Sequence, residues 1–131
     1  MKLRCITISD VNKIPILDEV TIKDDNMIYL DNIEESNLNA KELSKDNKEL
    51  NFLELKPYIY AISTKDSFFY GLDDSIKWDG TPSIYKNIKI FEKQLWGDVV
   101  ILKIINDNIY GLTNDEIDKY IELIKKINFK Q

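Results

Sequence analysis

The apolar positions of this chain change period along its length, and the clearest pattern lies near its end. Val99, Val100, Ile101, Leu102, Ile104 and Ile105 form an almost unbroken apolar run around Lys103. A run so rich in β-branched residues predicts a central strand covered on both faces. Asn106, Asp107 and Asn108 tolerate left-handed backbone and bond their own main chain, which predicts a reversal into residues 109–112. Thr113 with Glu116 three residues on matches a capping box, in which each side chain accepts a bond from the other's backbone N–H. Ile117, Tyr120, Ile121, Ile124 and Ile127 then recur at helical spacing, opposite Asp118, Lys119, Glu122, Lys125 and Lys126. That stripe predicts an amphipathic helix over 114–128, with acids in its first turn and lysines in its last to complement the dipole.

Earlier segments carry weaker versions of the same signals. Leu3, Cys5, Ile6 and Ile8 predict an N-terminal strand over 2–9, and Pro15 keeps residues 14–17 at an edge or outside the ladder. Residues 20–23 and 27–30 predict a hairpin turning at Asp24, Asp25 and Asn26. Residues 31–56 are the most polar stretch, where Ala40, Leu43, Asn47 and Leu50 have the spacing of a short exposed helix. Residues 58–63 and 68–72 predict a third hairpin with an aromatic surface. Thr81 before Pro82 predicts the start of a helix over 82–96, striped by Ile84, Ile88, Phe91 and Leu95 and stopped by Gly97. Ile88 and Ile90 also alternate with polar neighbours, so a strand through 87–91 stays open.

Together these elements predict a single globular α+β domain over residues 1–131. Its mainly antiparallel sheet of six or seven strands is built from three hairpins plus an N-terminal strand, with two amphipathic helices packed on it. Tyr29, Tyr70 and Tyr110 sit in similar tetrapeptides, 41 and 40 residues apart. Such a period suits repeated strand-strand-helix units, but chance recurrence in a chain rich in isoleucine, tyrosine and asparagine is the simpler account.

Composition narrows the setting. The single cysteine, Cys5, can form no intramolecular bridge, so a reducing cytoplasmic location is expected. No apolar run approaches bilayer length and the start of the chain lacks a signal-peptide core, so no membrane association is expected. The net charge is −5, and a lone Arg4 stands against 17 lysines, which disfavours nucleic acid as a partner. Residues 1–56 carry 8 basic and 12 acidic groups, so this half could present a mildly acidic face to a basic partner, though a solvated surface is the simpler reading. Abundant lysine, isoleucine and asparagine fit the codon bias of an AT-rich genome, such as that of a low-GC bacterium, its phage or a large virus.

Chemistry is sparse. The chain has no histidine, which removes the usual neutral-pH base, Ser-His and Cys-His nucleophile pairs and most zinc sites. No glycine-rich phosphate loop is present, and neither cofactor nor metal is expected. Asp73, Asp74 and Asp79 lie beside Tyr70 and Trp78, a grouping able to hold a hard cation or stack on a ligand or partner, although Asp-rich turns also arise from local hydrogen bonding. Tyr85 and Lys86, with neighbouring lysines, supply a stacking surface and positive charge for an anion.

Three functional readings follow. The first is a small intracellular binding protein that inhibits or sequesters a partner protein, of the immunity, anti-defence or viral accessory type. The alternative is a binder of a small anionic ligand or nucleotide, and a metal-dependent hydrolase is third. A symmetric homodimer is the simplest assembly.

Overall fold

The computed structural model describes residues 1–33, 36–67 and 86–128. Its strands in chain order are β1 (Lys2–Ile8), β2 (Ile16–Ile22), β3 (Met27–Leu30), β4 (Lys41–Glu42), β5 (Leu50–Lys56), β6 (Ile59–Thr64), β7 (Lys86–Ile90), β8 (Lys93–Trp96), β9 (Val99–Ile105) and β10 (Asn108–Tyr110). Helix α1 (Asn114–Asn128) follows. Seven strands lie in the order β4-β3-β2-β1-β9-β6-β5 with every neighbouring pair antiparallel, while β7 and β8 form a separate hairpin.

β9 is the central strand that its apolar run predicts. β6 flanks it on one side, and β1 and β10 share the other. β1 pairs with β9 only through Ile6, Thr7 and Ile8; further along β9, β10 takes its place. The exchange is sealed where the Leu112 N–H donates to the Arg4 carbonyl at 2.9 Å. Gly111 permits that approach, because a Cβ there would meet Arg4 N at 3.0 Å and Arg4 O at 3.3 Å.

Side chains alternate across β9 into two cores. Val100, Leu102 and Ile104 face a core shared with Cys5, Val20, Ile28 and Ile62, closed by Leu38 and Leu43 from the β3–β5 connection. The sheet curls around this core, bringing Leu50 of one edge strand together with Ile28 near the other edge. Val99 and Ile101 face the opposite way, against Ile117, Tyr120 and Ile124 of α1 and Ile88, Ile90 and Leu95 of the β7–β8 hairpin. The capping box forms as expected: Thr113 N–H donates to Glu116 at 2.9 Å, and Glu116 N–H to the Thr113 hydroxyl at 3.2 Å. Asp25 and Asn26 between β2 and β3, and Asn106 and Asp107 between β9 and β10, take the left-handed backbone expected of those turns.

Elsewhere the fold departs from the sequence reading. The expected 82–96 helix is a hairpin over its described part, turning at Phe91 and Glu92 with φ of 50° and 67°. Ile88 and Ile90 point inward with strand period, whereas Phe91, placed on the expected apolar stripe, is exposed. Gly97 is therefore no helix stop but the positive-φ turn into β9. The short helix expected around Ala40 to Leu50 is replaced by turns and β4, because Asn39 and Asn47 spend their side chains on backbone groups and so favour turns. β6 pairs back onto β5 through a turn at Pro57 and Tyr58 (φ 72°) and has β9 on its other side, while residues 68–72 of the expected third hairpin lie outside the described residues. Only one long helix and two of the three expected hairpins are thus seen among the described residues, and no helix follows β3 to complete a first repeat unit.

Ile101→Ala should open a cavity in the core shared by β9, α1 and the β7–β8 hairpin. Ile101 is fully buried between Ile6 and Ala61, so a loss of about 2–5 kcal/mol in chemical denaturation is expected. A loss below about 1 kcal/mol would show that the surroundings collapse onto the smaller side chain.

Candidate functional site

The interior of the curled sheet is apolar at one end and polar at the other. Along its inward-facing positions β1 reads Leu3, Cys5, Thr7; β9 reads Ile104, Leu102, Val100 and then Asp98 just before the strand; β6 reads Tyr60, Ile62, Thr64. β2, running antiparallel to β1, reads Ile22, Val20, Asp18, Ile16 toward the same end. This polar mouth opens into a cleft of about 690 Å³. Barrel mouths of this kind are common ligand and partner sites.

The deep polar groups of the mouth are satisfied by one another. Asp18, only 3% exposed, accepts from the Thr7 hydroxyl at 2.8 Å, the Asn32 amide at 2.6 Å and the Glu19 N–H at 2.7 Å. The Asn37 amide donates to Thr64 at 2.7 Å and also to the Ser67 hydroxyl. Gly97 lies so close to Ser67 that a Cβ would fall 2.2 Å from its hydroxyl oxygen. Asn87, buried in β7, donates to the carbonyls of Ile8 at 3.1 Å and Gly97 at 2.7 Å, joining the end of β1 to the turn before β9.

The β1–β2 connection overhangs this mouth; one hydrogen bond ties it to the turn before β9, and two more, to Ser9, fold it on itself. Asp10 N–H donates to Asp98 Oδ1 at 3.0 Å, Asn12 N–H to the Ser9 hydroxyl at 2.9 Å, and Lys13 N–H to the Ser9 carbonyl at 2.8 Å. Around and after these bonds, aliphatic residues of the connection and of the start of β2 are exposed. Val11 is 83% exposed, Ile14 50%, Ile16 45% and Leu17 54%. Other exposed large apolar side chains, such as Tyr58, Phe91 and Tyr110, are single residues in separate parts of the fold. Val11, Ile14 and Ile16 all border the cleft, while Leu17 faces a shallower hollow with Arg4 and Glu19 on the other side of β2.

The charged side chains among the described cleft-lining residues are Asp10 and Asp98. Burial first, and then the neighbouring Asp98, push the Asp10 carboxyl above the usual carboxylate range against the pull of Lys13. Burial also drives the Cys5 thiol well above its ordinary value, with Asp18, Asp31 and Glu19 adding to the effect, so Cys5 is a core residue and not a nucleophile. Among the described residues no group of three or more acidic or cysteine side chains is arranged to hold a metal ion. No helix among them is long and apolar enough to cross a membrane.

Of the residues singled out from the sequence, Tyr70, Asp73, Asp74, Trp78, Asp79 and Tyr85 lie outside the described residues, and Lys86 opens β7. The cleft residues Thr7, Asp10, Asn37 and Asp98 come from three separate parts of the chain, and the sequence reading missed them. One signal was available: Val11, Ile14, Ile16 and Leu17 make residues 11–17 unusually aliphatic for a connection containing proline. No known protein family, curated protein or solved structure matches the chain.

The raised Asp10 carboxyl sets a pH dependence. A carboxyl that holds its proton more tightly when folded loses the chain stability as pH rises from its ordinary 3.8 through the folded value, and the deficit is constant above that. Asp10→Asn should therefore raise Tm relative to the parent at neutral pH, and the difference should vanish below pH 3.8. A lower Tm at neutral pH would show instead that the carboxylate makes a stabilising contact.

Proposed function

We propose that this protein acts by binding another protein, which it blocks or sequesters, and that residues 9–17 with the adjoining cleft are its docking face. The observation that carries this reading is the set of three exposed aliphatic residues, Val11, Ile14 and Ile16, that border one cleft beside a backbone tied to Asp98. Contiguous exposed apolar surface marks interaction sites more often than chance. A segment already held in place also loses little conformational entropy on docking. The stoichiometric binder fits an immunity, anti-defence or viral accessory protein in a cytoplasm, with the AT-rich composition as supporting context.

The anionic-ligand alternative finds less support at this cleft, because its charged lining among the described residues is acidic. Its own expected residues lie elsewhere in the chain, as do Asp73, Asp74 and Asp79 of the hydrolase reading.

Immobilised protein exposed to lysate of a low-GC bacterium should retain one protein in a stoichiometric complex, without turnover of any substrate. Val11→Asp combined with Ile14→Asp should weaken that complex by about tenfold or more, while leaving stability within about 0.5 kcal/mol because both side chains are already exposed. Equal retention by the double variant would remove residues 9–17 from the interface.

A further inference from the structure

We infer that the cleft between Asp10 and Asp98 receives a basic side chain, a lysine or arginine flanked by apolar residues, from the bound partner protein. This inference rests on the docking role proposed above and names the chemistry of what docks.

Three features of the mouth point to a cation. The first is the sign of its charge. Asp10 and Asp98 are the charged residues among the described lining. Lys13, on the same connection, acts on Asp10 from outside that lining.

The second is how the polar groups are engaged. Thr7 gives its hydroxyl proton to Asp18, and Asn37 gives its amide to Thr64 and Ser67. Those donors are turned toward neighbours within the fold. Asp98 accepts the Asp10 N–H on Oδ1, and among the described residues its Oδ2 takes no hydrogen bond. Asp98 is nevertheless a buried residue at the edge of the cleft. A guanidinium or ammonium group entering there would find a carboxylate acceptor in a partly desolvated setting, where a charge-assisted hydrogen bond is stronger than at an open surface. It would also offset the repulsion between the two carboxylates, which adds to burial in raising the Asp10 carboxyl.

The third is the rim. Val11, Ile14 and Ile16 line the same cleft as the two carboxylates and add aliphatic surface to it. An apolar rim around a charged socket suits the long methylene stem of lysine or arginine, which packs while its head reaches the carboxylates. It also leaves contact area for apolar residues on either side of the basic one. A free anion would meet two carboxylates at the floor.

The test compares two capped tripeptides by two-dimensional amide NMR of the full chain. The probes are acetyl-leucyl-arginyl-leucinamide and its citrulline counterpart, which keeps the shape and loses the charge. The arginine peptide should shift the amides of Asp10, Asn12 and Asp98 saturably, and the citrulline peptide should bind about tenfold more weakly or worse. Asp98→Asn, which keeps a carbonyl acceptor for the Asp10 N–H, should erase that preference. Asp10→Asn should reduce it too, and serves if the Asp98 variant does not fold.

Equal binding of the two peptides at residues 10–17 would overturn the cationic inference and leave the docking face standing. Saturable binding of the arginine peptide elsewhere, or no binding, would overturn the inference, and the lysate experiment would then judge the docking face separately. Shifts of Val11 and Ile14 produced by dilution alone would make a second copy of the chain the occupant and would also overturn it.

Discussion

β9 leaves no face for water, and the remaining layers are arranged to cover it. Val100, Leu102 and Ile104 need a layer on one side, which the sheet supplies by curling around them. Val99 and Ile101 need one on the other, which α1 and the β7–β8 hairpin supply. Lys103 is the exception in the run, and it marks where strand and helix are joined. Its ammonium lies 2.8 Å from Glu116, which also accepts the Thr113 N–H at the start of α1. Burial pushes the Glu116 carboxyl up, but the bonds from Lys103 and Thr113 outweigh it and hold the group below its ordinary range. The stabilisation from that carboxylate is therefore present above its unfolded value and is lost as pH falls through the folded one.

The same strand places the candidate site. Moving back along the inward face of β9, the apolar series ends at Asp98, where Gly97 turns the chain against Ser67. Asn87 links that turn to the end of β1, and Asp98 links it to the beginning of the β1–β2 connection. The mouth is thus supported from β1, β6, β7 and β9 together. The connection above it can project Val11 and Ile14 into solvent without being loose, since Ser9 and Asp98 hold its backbone.

The readable parts of the fold were those in which local and tertiary preferences agree. β9, the asparagine- and aspartate-rich turns, the capping box and α1 follow directly from residue spacing and side-chain hydrogen bonding. The β7–β8 hairpin was misread because Ile84, Ile88, Phe91 and Leu95 recur at helical spacing while Ile88 and Ile90 alternate. Packing against α1 and the buried Asn87 contacts accompany the second pattern. The cleft was hidden for another reason. The change from apolar to polar inward positions is visible only after β1, β2, β6 and β9 are set in register, and a one-residue slip would exchange the faces. Single-sequence spacing carries no such register.

Docking through residues 9–17 requires the exposed connection to keep its backbone hydrogen bonds in solution, and native-state hydrogen exchange measures that directly. The Asp10 and Lys13 amides, which donate to Asp98 and Ser9, should be protected, whereas the Val11 amide, with no such bond among the described residues, should exchange rapidly. Uniformly fast exchange from Asp10 through Lys13 would show a loose loop and contradict a preorganised docking face.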